Sequence, residues 1–307
     1  MMKKESKKND FQLSPEEMEI LKKYKKRSFL AETWRGLRKN KGAVIGLIII
    51  ALIAFVAIFA DLLYDYEEVV IMPDYSATLM SPSLEHPLGT DEFGRDVLAR
   101  IVHGARLSME IALLSTAFSL SVGGIIGAYS GYLGGKFDAI VMRIMDIFLA
   151  IPNMLLALAI VAALGPNLFN LILAIAISDV PRFARILRST VLSIKDSEYI
   201  EASKAAGART TTIVFREIIP NCIAPIIVQA SIVMAAAIII AASLSFIGLG
   251  VQPPAPEWGA MLSSGRSYMR EYNYLVLFPG LAIVITVLAF NLLGDGLRDA
   301  LDPRLKR

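Results

Sequence analysis

Long apolar runs separated by polar stretches dominate this chain. Six occur, at 43–63, 107–129, 139–164, 168–186, 222–248 and 274–293. A span needs about 20 apolar residues to cross a hydrocarbon layer roughly 30 Å thick, and each run approaches or exceeds that length. Runs this long, in place of short alternating segments, predict helices over a barrel, because each helix satisfies its own backbone polar groups. The expected fold is an all-α membrane protein with six transmembrane helices.

Composition agrees: 55% of residues are hydrophobic and the mean hydropathy is +0.56, which excludes an ordinary soluble protein of this size. Charge sets the orientation. With the N-terminus inside, 25 Lys and Arg fall on inner segments (1–41, Lys136, 182–221 and beyond 297), against four outside, Arg95, Arg100, Arg266 and Arg270. The positive-inside rule then places both termini in the cytoplasm. Residues 1–41 read as a basic cytosolic tail facing lipid headgroups rather than nucleic acid. Within it, Ser14-Pro15-Glu16-Glu17 has the pattern of a helix start, with the helix running towards Tyr24. The charged region is too long, and the run after it too complete a span, for a cleavable signal. The single cysteine, Cys222, excludes an internal disulfide and a cysteine metal cluster.

Residues 64–104 form an acidic outer segment ending in Leu88-Gly89-Thr90-Asp91-Glu92-Phe93-Gly94-Arg95-Asp96. EF-hand spacing is absent, and caps and turns account for Thr90, Asp91 and Gly94, so no metal is expected. In the second run Gly123, Gly127 and Gly131 recur every four residues and make a flat helix face, for packing within the chain or against a second one. The stretch from Gly131 to Phe137 fails as a phosphate loop: its first glycine is misplaced and Phe137 stands where Ser or Thr should bind magnesium. The third run opens with Asp138, Arg143 and Asp146 and bends at Pro152. Arg143 and Asp146 are three apart and close enough to pair. Ionisable groups at this depth are functional candidates, and an ion pair that fixes helix packing is the favoured reading. Asp179 with Arg182 reads the same way.

The polar insert between the fourth and fifth runs carries the most information. Asp196 or Ser197 can cap a helix whose first turn holds Glu198 and Glu201, and Gly207 stops it. A second helical stretch, about 211–219, leads to Pro220. Ala202, Ala205 and Ala206 are small enough for the short helix to lie in a groove of another protein, although an ordinary amphipathic connector fits the periodicity equally well.

Glu201-Ala202-Ser203-Lys204-Ala205-Ala206-Gly207, followed by Arg216-Glu217-Ile218-Ile219-Pro220-Asn221, resembles the coupling loop of permease subunits in ATP-binding-cassette importers. Leu88 to Asp96, Leu244 to Gly259 and Phe290 to Pro303 are similar to segments of the dipeptide, oligopeptide and nickel branch of that family, specifically its C-type permease. The resemblance covers nearly everything from residue 30 onward. Ser203 replaces a usual alanine and Ile219 a usual leucine. The resemblance implies a type I importer fold with a cytosolic tail (1–41), a first span with its outer segment (42–104) and a permease domain (105–307) whose coupling loop lies near 196–220. It implies ATPase coupling through Glu201, Ala202, Ser203, Ala206, Gly207, Ile219 and Pro220. The implied partners are a second permease, two cytosolic ATPases, an extracytoplasmic peptide-binding protein, the peptide substrate and membrane lipid. The implied location is a prokaryotic cytoplasmic membrane, with no cofactor and no catalysis by this chain.

Metal-chelate uptake in the same branch is the alternative, although no His or Met stripe dedicated to metal is present. An ion-gradient carrier needs no coupling helix and usually shows paired inverted repeats with broken helices. A membrane enzyme lacks support, since His86 and His103 have neither a metal partner nor a nucleophile motif.

Overall fold

The computed structural model describes residues 29–301. The helix start predicted at Ser14 and the ending at Asp302 and Pro303 lie outside them. The described residues are helical and contain no strand, only an isolated bridge between Thr90 and Asp96.

A short helix, α1 (Phe29–Leu37), leads into α2 (Lys41–Ile58). Asn40 starts α2 by accepting from the Ala43 amide at 3.1 Å, and its Nδ2 donates to Asp299 at 3.0 Å. One side chain therefore caps the first span and ties it to the end of the last helix. The run predicted at 43–63 breaks at Phe59 into the separate turn Ala60–Leu63. The second run is longer than expected: α3 (Val97–Leu133) has 37 residues and a length of about 55 Å, enough to join the two ends of the molecule. It begins at Asp96, which accepts from the Ala99 amide, and ends at Gly134, whose φ is +64°.

The third run divides into α4 (Gly135–Leu149) and α5 (Asn153–Leu164), set at 86° across the break before Asn153. Proline cannot continue the hydrogen-bond ladder, and the residue before it avoids helical geometry, which accounts for a break at Ile151-Pro152. Next comes α6 (Leu168–Ile194), and then the polar loop with α7 (Glu198–Ala205). Beyond the loop lie α8 (Ile223–Phe246), the short α9 (Trp258–Gly265) and α10 (Tyr274–Leu301).

Among the described residues four helices (α2, α3, α8 and α10) are long and apolar enough to cross a membrane, and a fifth crossing exists if α4 and α5 count as one. Length alone would admit α6, but Asp179, Arg182 and Arg185 interrupt its apolar surface. In lipid, helices associate by close packing rather than by escape from water, so small residues matter at the crossings. A Cβ on Gly123 would collide with the Val180 carbonyl oxygen and one on Gly127 with that of Ala184, so the predicted flat face packs inside the chain, against α6. Gly46 meets the Ala289 carbonyl in the same way, seating α2 on α10. A core of Ile111, Val161, Leu171, Ile175, Ile238, Leu244 and Phe290 joins α3, α5, α6, α8 and α10.

Candidate functional site

The candidate site is the loop after α6. Ser197 starts α7 with extended backbone, as expected of a cap, but its hydroxyl donates back to the Ile194 carbonyl and leaves the α7 amides unbonded by side chain. The helix is therefore opened by backbone geometry, with Glu198 and Glu201 in the first turn favouring the positive helix end. It stops where predicted. The Gly207 amide donates to Lys204 at 2.9 Å and the Ala208 amide to Ser203 at 3.0 Å, a Schellman closure that requires left-handed backbone at Gly207, where φ is +79°.

One residue of α7 is buried. Ile200 is fully enclosed with Ala128 of α3, with Leu187 and Val191 of α6, and with Ile213, Val214 and Ile218 of the return stretch. That stretch is helical from Thr210, widens to an i→i+5 turn over Val214–Ile218 and continues through Ile219–Asn221. The wide turn absorbs Pro220, which has no amide proton to donate. Glu198, Tyr199, Glu201, Ala202, Lys204, Ala205, Ala206 and Gly207 are exposed, and Ser203 partly so. The Lys204 ammonium lies 5.2 Å from the Tyr132 ring centroid, a second tie to the end of α3. The arrangement is a short helix standing on an apolar platform with its polar and small side chains outward.

Glu201, Ala202, Ser203, Ala206 and Gly207 share this projecting element. Ile219 and Pro220 do not: they lie in the return stretch, with Ile219 partly buried against the platform and Pro220 exposed. The predicted Arg143–Asp146 pair is corrected. Asp146 instead meets Arg185 of α6 at 2.6 Å, because its side chain faces the neighbouring helix, and Arg143 makes no ion pair among the described residues. Asp179 and Arg182 do pair, at 3.2 Å. The strongest clamp escaped prediction: Arg188 holds Asp138 through two hydrogen bonds, of 2.5 and 2.6 Å, and Ser130 donates to the same carboxylate. Its signal was the spacing of three between Arg185 and Arg188, which puts both on the side of α6 that meets the carboxylates of α4.

The opposite end of α3 is closed differently. Asp91 accepts from the Phe93 and Arg95 amides and from Arg95 Nε at 2.7 Å, with Arg100 Nε at 3.4 Å. Arg100 also donates to the Val70 and Pro254 carbonyls. Tyr274 donates to the Met80 and Thr90 carbonyls, and His86 meets Asp96 at 2.9 Å. Asp91, predicted to serve a cap or turn, does so. Glu257 caps α9 through the Ala260 amide, and its burial pushes its carboxyl above the usual range.

Residues 123–307 match the family described as binding-protein-dependent transport system inner membrane component, and residues 28–82 match the N-terminal transmembrane domain of oligopeptide transport permease C. The dipeptide transport system permease protein DppC of Alkalihalophilus pseudofirmus is 49% identical over 90% of this chain and 90% of its own. The di/tripeptide transport system permease protein DppC of Pseudomonas aeruginosa is 47% identical over 90% of this chain and 93% of its own. A solved structure described as an inward-facing conformation of the MetNI methionine ABC transporter shares the fold, with a TM-score of 0.54 and 21% identity over 66% of this chain and 96% of that one. The chain therefore belongs to the inner-membrane permease components of binding-protein-dependent ATP-binding-cassette transporters, alongside the C-type dipeptide permeases.

Proposed function

We propose that this chain is one of two permease subunits in an ATP-driven importer of di- and oligopeptides, forming half of the pore. Two cytosolic ATPases would dock on the 196–220 loop, and an extracytoplasmic binding protein would deliver peptide. The observation that carries the reading is α7 itself, a helix whose polar and small residues point outward while Ile200 is its one buried residue. A helix displayed in this way suits a groove on another protein, and its footing on α3 and α6 suits it to pass motion into the spans. The names of the relatives support peptide as cargo.

In this reading the bent α4–α5 pair and α6 complete six crossings in a prokaryotic cytoplasmic membrane. The paired state of Asp138, Asp146 and Asp179 makes burial of α6 tolerable. Both termini face the cytoplasm and 64–104 and 250–273 face outward, which divides the chain into a tail (1–41), a first span with outer segment (42–104) and a permease domain (105–307). ATP hydrolysis belongs to the partner subunits. The chain alone in lipid should therefore hydrolyse no ATP. With the second permease and both ATPases, hydrolysis should appear and rise on adding loaded binding protein. Uptake that persists after ATP depletion with an ion gradient intact would overturn the reading. Cysteines placed at Ser83 and Ser264 should react with an impermeant reagent added outside, over little background, since Cys222 is buried.

A further inference from the structure

At the α9 end of the spans an apolar groove of about 350 Å³ lies between α5, α8, α9 and α10, lined by Met154, Ser243, Phe246, Ile247, Leu262 and Ile283 among others. A cation lies against one lining residue, Phe246. Arg266 directly follows α9, is exposed, and has no carboxylate partner among the described residues. Its guanidinium sits 5.4 Å from the centroid of the Phe246 ring. The frame behind it is fixed: Ser263 donates to the Phe246 carbonyl at 2.8 Å, and Gly259 of α9 leaves no room for a Cβ against Ala242 of α8.

We propose that this groove is a passage subsite for short peptides, with the apolar walls taking a side chain and Arg266 taking the C-terminal carboxylate. The proposal rests on the peptide-import reading above. Its argument is charge and size. The volume falls within the range of about 300–1,000 Å³ typical of small-ligand pockets, which are mostly apolar with a few placed polar groups. A planar guanidinium can grip a carboxylate through two parallel hydrogen bonds, a geometry that an ammonium cannot supply. A lipid chain and a helix of the second permease are the other occupants of such a groove, and the labelling experiment below separates them from peptide.

The test uses the complete transporter in vesicles, with its second permease, ATPases and binding protein, and tritiated Ala-Ala and Phe-Phe as probes. Arg266→Gln should lower uptake of both by about tenfold, one lost charge-assisted contact, while hydrolysis stimulated by loaded binding protein stays at the wild-type level. Arg266→Lys should recover part of the loss. Ser243→Phe, which fills the groove, should depress Phe-Phe uptake several-fold more than Ala-Ala uptake, a selectivity change that general destabilisation would not give. A photoreactive benzophenone side chain at Ile247 should label with peptide during turnover. Labelling of lipid or of the second permease alone overturns the subsite, as do wild-type KM values and rates for both probes in Arg266→Gln and Ser243→Phe. A wild-type transporter that imports neither probe instead removes the peptide-import reading, and the subsite with it.

Discussion

The two ends of α3 satisfy their polar groups in opposite ways. At the Val97 end Asp91, Arg95, Arg100, His86, Asp96 and Tyr274 bond to one another and to backbone carbonyls, so the 64–104 segment is locked onto the spans by its own side chains. At the Leu133 end the loop is held mainly by aliphatic side chains, around Ile200, Ile213, Val214 and Ile218, with Lys204 resting on the Tyr132 ring, while Glu198 and Glu201 are exposed and make no ion pair among the described residues. The first end spends its polar groups internally and has few left for others. The second is built as a firm base with an unclaimed surface. A segment that must recognise a partner gains from the second design, because its carboxylates carry no internal duty and its position is still fixed.

The largest test of this contrast is Asp91→Ala. It leaves Arg95 and Arg100, both nearly enclosed, without their carboxylate. Breaking a buried ion pair by removing one partner costs about 3–5 kcal/mol. The variant should lose thermal stability in detergent clearly and show new proteolysis within 64–104. An unchanged melting profile would mean that the outer network is ornamental and would dissolve the comparison.

Gly207→Val is next, and it tests the other end. Left-handed backbone costs a side-chain-bearing residue roughly 1–2 kcal/mol, with a β-branched one at the upper end. Space is not the obstacle, since a Cβ at Gly207 meets nothing within 4 Å. The spans should therefore insert and melt almost as before, while the end of α7 shifts and uptake falls sharply. Normal transport in this variant would remove the loop from the mechanism. Gly207→Asn, which tolerates left-handed geometry, should keep most of the activity.

The same contrast explains what could be read before the structure. Local rules reached Gly207, because a glycine after a run of helix formers is itself the stop signal, and the flat face of Gly123, Gly127 and Gly131, because periodicity is intrinsic to a helix. The Asp179–Arg182 pair was legible for the same reason. Pairings between helices were not. Arg143 and Asp146 are neighbours in sequence, but the rotation of α4 turns Asp146 towards Arg185, and only the packing of α4 on α6 decides that. Asp138 with Arg188 lies beyond local reach in the same way. Ile200 could have been noticed as the one large aliphatic residue of a polar helix, yet its platform draws on α3, α6 and the return stretch, which meet only in the fold. The break before α5 was visible as Pro152, but its size of 86° was not, because a proline marks where a helix ends and not how the next one is packed.

Glu201→Lys should have the smallest effect on the protein and still a large one on the proposed assembly, which makes it the sharpest probe of the comparison. The side chain is exposed, and it makes neither an ion pair nor a hydrogen bond among the described residues. Its contribution to folding is the interaction of a first-turn carboxylate with the helix dipole, about 0.3–1 kcal/mol, and reversing the sign turns that gain into a comparable penalty. With α7 anchored through Ile200 and closed at Gly207, such a cost frays one turn at most. Melting should shift by a few degrees or less. Docking is another matter if Glu201 meets a cation on the ATPase, since truncating one partner of a buried, hydrogen-bonded charge pair typically costs 2–5 kcal/mol of binding and a reversed charge adds repulsion. Co-purification of the ATPases should fall by ten-fold or more, or hydrolysis should run free of uptake. Glu198→Lys is the control one turn earlier, because it makes the same change in helix electrostatics at a residue outside the expected contact. Equal losses in both variants would assign the effect to helix fraying. A loss confined to Glu201→Lys would place the carboxylate at the docking surface.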